Sequence, residues 1–381
     1  MAEPERLRVC HLCATTLDTH YFANLGGGLA ANGMSLFGAS LTAPEAPAWL
    51  SRLPEHDYLF LDAASRAAYP AAIVRLARWL RRHRMDVLQT HLFDAGLVGL
   101  AAARLARVPL AILTRHHTDE MWIAGTRVHI AGDRLMARWA DRVVVLSHAV
   151  RTHMVEREGA PADKIDVIYQ GFDFQSLSAS DDDRRRVRTE FGLDGYFVIG
   201  CVARFFKTKG HVYLLEAARQ LVDEIPNLRV LLLGGGDRSG IEEMIRANGL
   251  EGRVIFGGYR SDVPACMRAM DVVVHPSLTE AFCQTVIEAL AAESPLVATD
   301  VAAASEVVSD GVNGLLVPPA DSGAIVMAVR RLHADPVLAR RMVAAGKRSV
   351  AERFTIDRMV AAQIDCYRRW LAPAAAKANA A

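Results

Sequence analysis

The sequence predicts an α/β protein built from two doubly wound, parallel-sheet domains, and three observations carry that reading. Short apolar, β-branched runs alternate with helix-length segments along the chain, the pattern of parallel strands buried on both faces. The alternation occurs twice, once from residue 7 to about 170 and again from Tyr196. Between the two series lies a charge-dense stretch, Ser178–Gly192, without strand character. The length of 381 residues also suits two domains at roughly 150 residues each.

In chain order, the first half offers strands at Leu7–Cys13, Asp86–Thr90, Leu110–Thr114 and Val143–Leu146. The second half offers Val198–Val202, Arg229–Leu233, Val254–Phe256, Val272–His275 and Leu296–Thr299. Between the halves, Asp181–Asp183 precede Arg184–Arg186, which suits a helix whose acidic first turn meets the positive end of its dipole. The boundary is therefore placed near residues 172–180, with Rossmann-like domains over 1–175 and 176–354 facing each other across a cleft. A C-terminal helix at about 355–371 is left free to pack back on the first domain, and the Ala/Pro tail 372–381 is expected to be disordered.

Composition excludes several classes. Apolar residues make up 51% and charged residues 23%, too apolar for a disordered chain and far from a collagen-like one. Lys+Arg is 44 against Asp+Glu 43, a net charge of +1, so nothing global draws the chain to nucleic acid. Six cysteines over 381 residues are too thin for a disulfide framework, and a reducing cytoplasm is expected. Cys10 and Cys13 form a C-x-x-C inside an apolar run with no second pair. A buried strand is the preferred reading there, ahead of a redox or zinc motif. The first residues carry acids and no apolar core, so no secretory signal is expected. No run of about 18 uncharged apolar residues is present, which argues against a membrane-spanning helix and leaves peripheral membrane contact open. Gly26–Gly28 invite a phosphate-loop reading, but no strand runs into them and Asn32-Gly33 follows. Close helix packing is favoured.

Chemistry concentrates in the second half. Val198–Val202 leads into a loop carrying Arg204, Lys207, Lys209 and Gly210, ahead of an apolar helix. Arg204 and Lys209 at the C-terminal end of a strand suit an anion site beside a helix N-terminus, and taken alone they equally suit a solvated basic loop. Leu231–Leu233 ends in Gly234-Gly235-Gly236, a tight strand–helix turn near a ligand, without the G-x-G-x-x-G of dinucleotide binding. The most specific segment runs from His275-Pro276-Ser277 through Glu280 to Glu288. A helix starting near Phe282 puts Glu280 in the loop ahead of it and Glu288 about two turns inside. Were both helical they would sit ~80° apart around the axis, so different tasks are expected of them. Two ordinary helix glutamates are the alternative.

Together these residues resemble the GT-B fold family-4 retaining glycosyltransferases. The hallmark Glu-x7-Glu after Pro-Ser is matched by Glu280 and Glu288, and the upstream Arg…Lys-Gly by Arg204 and Lys209-Gly210. Pro295–Asp300, Glu306 and Asp310–Val317 follow in the family's order, so the resemblance is most specific over about 196–330. In the first half, Gln89-Thr90-His91 with Ala95-Gly96, Arg115-His116, Val145–Ser147 and Val167–Asp173 match more loosely. The sequence departs at Ala14–Asp18, where the family often carries Gly-Gly, at Ala281 and Cys283, usually glycines, and at Ala302-Ala303.

The resemblance implies retaining transfer of a sugar from a UDP- or GDP-sugar to an acceptor hydroxyl on a lipid-linked, polysaccharide or small-molecule substrate. It implies catalytic roles for Glu280, His116, Arg204 and Lys209, with His116 preferred over His117. Donor contacts are implied for Glu288, Gly234, Gly235, Ala281, Phe282, Cys283, Gln284 and Thr285. The only D-x-D lies in Asp181–Asp183, away from a strand end, so no metal and no cofactor are expected. A GT-B epimerase or phosphorylase, or a non-catalytic nucleotide-sugar-binding protein, are the alternatives.

Overall fold

The computed structural model describes residues 6–117, 127–301 and 303–378. The chain divides into two units, residues 1–172 with 354–381, and residues 173–353. The first unit holds a seven-stranded parallel sheet of β1 (Arg8–Cys13), β2 (Ser35–Ser40), β3 (Tyr58–Phe60), β4 (Val87–His91), β5 (Leu110–Arg115), β6 (Arg142–Val145) and β7 (Ile165–Val167), in the order β3-β2-β1-β4-β5-β6-β7. The second holds β8 (Phe197–Val202), β9 (Leu228–Leu233), β10 (Val254–Gly258), β11 (Val272–His275), β12 (Leu296–Thr299) and β13 (Leu315–Val317), in the order β10-β9-β8-β11-β12-β13. Each sheet grows outward both ways from its first strand. The order therefore reverses between β1 and β4 and between β8 and β11, the points where open α/β sheets take ligands at their carboxyl ends.

All the runs read as strands are strands. The strands that the reading lacked are β2, β3, β7 and β13, and their sequences explain why. Ser-Leu-Phe-Gly-Ala-Ser is not β-rich, yet β2 pairs along its full length with β1, from Arg8↔Ser35 to Cys13↔Ser40. The other three span three residues each, and β7 carries Asp166 at its centre.

Cys10 and Cys13 are buried thiols on β1, as a strand requires. The glycine triplet lies in helix His20–Ala31, which ends at Asn32 and turns away through Gly33 at φ +83°. A Cβ on Gly26 would stand 2.2 Å from the Trp49 ring, and one on Gly28 would stand 2.3 Å from Val360. Close helix packing is thus the reason for these glycines.

The acidic-then-basic linker forms helix Asp181–Glu190, capped reciprocally by Ser180 and Asp183. Arg184 and Arg188 reach Asp271 at 2.7 and 3.3 Å, anchoring this helix in the second unit. The last helix, Ile356–Ala378, belongs to the first unit, where Tyr367 is fully buried. It extends through residues 372–378, which were expected to be disordered, because an alanine-rich segment continues a helix readily. Residues 379–381, and Ala302, lie outside the described residues. Among the described residues no helix is long and apolar enough to cross a membrane.

Candidate functional site

Three loops meet where β8, β9 and β11 end. Backbone hydrogen bonds tie them together: Phe205 N–H donates to Gly235 O (3.0 Å), and Leu278 N–H donates to Thr208 O (2.7 Å). Two glycines permit this approach. Gly210 has φ +67° and a Cβ there would stand 1.9 Å from Pro276 O; Gly234 has φ +144° and a Cβ there would stand 2.1 Å from Ala203 O. Gly234 is thereby needed for the strand-to-loop turn itself, whereas Gly235 faces open space.

Glu280 sits at the centre of this meeting. Ser277 Oγ donates to its Oε1 at 2.8 Å, and Lys209 Nζ donates to the same oxygen at 2.6 Å. His275 Nε2 lies 3.3 Å from that oxygen. It is close enough for electrostatic contact but not aligned for a hydrogen bond, so among the described residues both buried His275 nitrogens have no hydrogen-bond partner. Thr299 Oγ1 donates to Ser277 O at 2.5 Å and so steadies the turn from the neighbouring strand. Burial pushes the Glu280 carboxyl up, but contact with His275 and the Lys209 charge outweigh it and hold it at about 2. The carboxylate is therefore ionised across the physiological range.

Lys209 is committed to Glu280, while Arg204 is exposed, its guanidinium 4.6 Å over the Phe206 ring. The helix after Glu280 runs Gln284–Ala291, two residues later than read, so Glu288 is its fifth residue and just over one turn inside. Glu288 is half-buried there. Ala281, Phe282 and Cys283 are buried, Thr285 is half-buried, and Gln284 is exposed, with its N–H donated to Phe282 O at 2.9 Å. The Asp310–Gly314 segment is a self-bonded turn. Ser309 N–H donates to Asn313 Oδ1 (2.7 Å) and Leu316 N–H to Asp310 Oδ1 (2.9 Å), so its matched residues serve architecture. Among the described residues no three His, Cys, Asp or Glu side chains converge to hold a metal ion.

In the first unit, His116 follows β5 and its Nε2 lies 3.0 Å from His91 Nδ1. Burial, then the neighbouring His117, holds the His116 ring down at about 4, so it is neutral near pH 7. His117 instead pairs with Asp133 at 3.0 Å, beside the buried Arg115. The histidine next to it thus has a structural partner of its own. The reading of the sequence assigned no role to His275, Ser277, His91 or His11. The signal for the three histidines was a polar residue inside or closing a continuous apolar strand; Ser277 lies two residues beyond β11.

Two family models match the chain: Glycosyltransferase Family 4 over residues 19–176, and Glycosyl transferases group 1 over residues 183–349. A 2-deoxystreptamine glucosyltransferase of Streptomyces kanamyceticus is 27% identical over 326 residues, spanning 82% of this chain and 84% of that one. A D-inositol 3-phosphate glycosyltransferase of Streptomyces bingchenggensis is 30% identical over 307 residues, spanning 74% and 66% respectively. The crystal structure of Anabaena Alr3699/HepE in complex with UDP-glucose is similar with a TM-score of 0.81 at 22% identity, covering 95% of this chain and all of that one. With one model on each unit and a GT-B fold throughout, the chain belongs to the family-4 glycosyltransferases.

Proposed function

We propose that this glycosyltransferase moves a sugar, with retention at the anomeric carbon and without a metal, from a UDP- or GDP-sugar to an acceptor hydroxyl. The observation that carries the reading is the ionised Glu280 paired with Lys209, with His275 3.3 Å away, where β8 and β11 end. Breaking the anomeric bond builds positive charge on the sugar and negative charge on the departing diphosphate. A fixed carboxylate beside a fixed ammonium complements that separation, and such preorganised charge is commonly the largest catalytic contribution. Arg204 and Lys209 would balance the diphosphate together with the helix start at Ala281–Thr285 and the open approach at Gly235. Glu288 would hold the nucleoside's ribose hydroxyls, while Glu280 and His116 would contact the transferred sugar. A relative named as a glucosyltransferase and a similar chain crystallised with UDP-glucose support this donor class. The reducing cytoplasm is the proposed compartment, on the strength of six unpaired thiols.

Thermal-shift screening with UDP, GDP and ADP sugars should pick out the donor, because a ligand raises apparent stability by RT ln(1 + [L]/Kd). Product NMR should then show the donor's anomeric configuration kept, with activity undiminished in excess EDTA. An inverted product removes retention, and loss in EDTA that Mg²⁺ or Mn²⁺ restores removes metal independence. A free epimer, or binding without turnover, would replace transfer altogether.

A further inference from the structure

Three histidines stand in a row across neighbouring strands of the first sheet: His11 on β1, His91 closing β4, and His116 just after β5. His11 Nδ1 lies 3.1 Å from His91 Nε2, and His91 Nδ1 lies 3.0 Å from His116 Nε2. Rings from the start of helix His20–Ala31 meet the row edge-on, with Phe22 4.7 Å from His91 and Tyr21 5.5 Å from His116 between centroids. Burial holds His11 and His116 at about 4 and also pushes His91 well down, so at neutral pH all three are uncharged.

A neutral imidazole has one N–H and one lone pair. Each nitrogen–nitrogen contact needs one of each, so only two proton arrangements satisfy both contacts. In one, His11 Nδ1–H donates to His91 and His91 Nδ1–H donates to His116. The proton of His116 then sits on Nδ1, outside the row. In the other, every donation reverses, and His11 must carry a proton on Nε2. That nitrogen is buried with no hydrogen-bond partner among the described residues, and an orphaned buried donor is the rarer and costlier case. The first arrangement wins.

We infer that His91, backed by His11, is a positioning residue that locks His116 in its Nδ1–H form, so that His116 offers a hydrogen-bond donor, not a base, to an oxygen of the transferred sugar. The sugar contact rests on the function proposed above; the proton arrangement does not. Histidine ring tautomers are read on ligand-free, ¹⁵N-labelled protein at pH 7.5 from nitrogen–proton correlations. His116 should appear as Nδ1–H in the wild type and shift toward Nε2–H in His91→Phe, which keeps a ring but no nitrogen. His91→Asn, which places an amide N–H near the lost Nδ1–H, should restore it. With UDP-glucose, His91→Phe should lower kcat about tenfold, with UDP Kd unchanged by calorimetry and most of kcat recovered in His91→Asn. Should His91→Phe fail to fold, His11→Leu removes the back of the row and should mix the His116 tautomers. An Nε2–H His116 in the wild type, or a folded His91→Phe with unaltered tautomer or unaltered kcat, overturns the inference. If the wild type transfers sugar from no donor, the proposed function falls and the tautomer alone decides the inference.

Discussion

The two units share one sheet plan and hold opposite chemistry at corresponding strand ends. In the second unit, the loops after β8 and β11 bring together an ionised Glu280, Lys209 and His275. In the first, β1 and the ends of β4 and β5 bring together imidazoles that burial keeps uncharged. A doubly wound sheet therefore fixes where a site lies, and the residues at its strand ends decide what the site does. In the proposed reaction one unit would work through charge and the other through the direction of neutral hydrogen bonds. Their side chains should differ in what substitution costs.

The charged cluster should give the largest effects. Arg204→Ala, Lys209→Ala and Glu280→Gln should each lower kcat roughly 10²–10³-fold, the loss typical of one preorganised electrostatic group. Wild-type steady-state kinetics in all three folded variants would falsify the charge-based half of the comparison. His116→Ala should lower kcat by about 10²-fold or less with nucleotide Kd by calorimetry unchanged, since in the proposed reaction it would remove a neutral contact to the reacting sugar. A larger loss than that of Lys209→Ala reverses the ranking of the two units.

Glu288→Ala should raise KM about tenfold and leave kcat nearly intact, because a ribose contact is the same in ground and transition states. If it instead abolishes kcat while nucleotide binds normally, the division of roles between Glu280 and Glu288 is wrong. Gly210→Ala should destabilise by about 1–3 kcal/mol in urea unfolding, because its backbone lies in the left-handed region against Pro276. A neutral result would mean that the loops after β8 and β11 separate easily.

The smallest effect separates charge from packing. Because the Glu280 carboxyl is depressed on folding, its contribution to stability is complete above the ordinary value of 4.5 and fades as pH falls toward about 2. Glu280→Gln should thus cost about 1–2 kcal/mol at pH 7, with the gap to wild type narrowing between pH 4.5 and 2. A gap independent of pH would mean that Glu280 serves the fold by its shape alone.

Strand runs such as Arg229–Leu233 and Val272–His275 were legible because burial on both faces demands continuous apolar residues whatever the neighbours are. The capped linker helix and the packing role of Gly26 and Gly28 were legible too, since dipole, cap and stop signals are local. The placement of Glu280 in a loop and Glu288 in the helix after it was legible too, because the segment's helix start is a local signal. The strands β2, β3, β7 and β13 were not, because they are short or weakly β-forming and take their place from the strand beside them. The return of Ile356–Ala378 to the first unit, the pairing of Lys209 with Glu280 across 71 positions, and the row from His11 through His91 to His116 were decided only by tertiary structure. Composition and periodicity report what a segment does with its own neighbours in sequence. A charge's partner and a ring's proton depend on atoms that only the folded sheet brings within 3 Å or so.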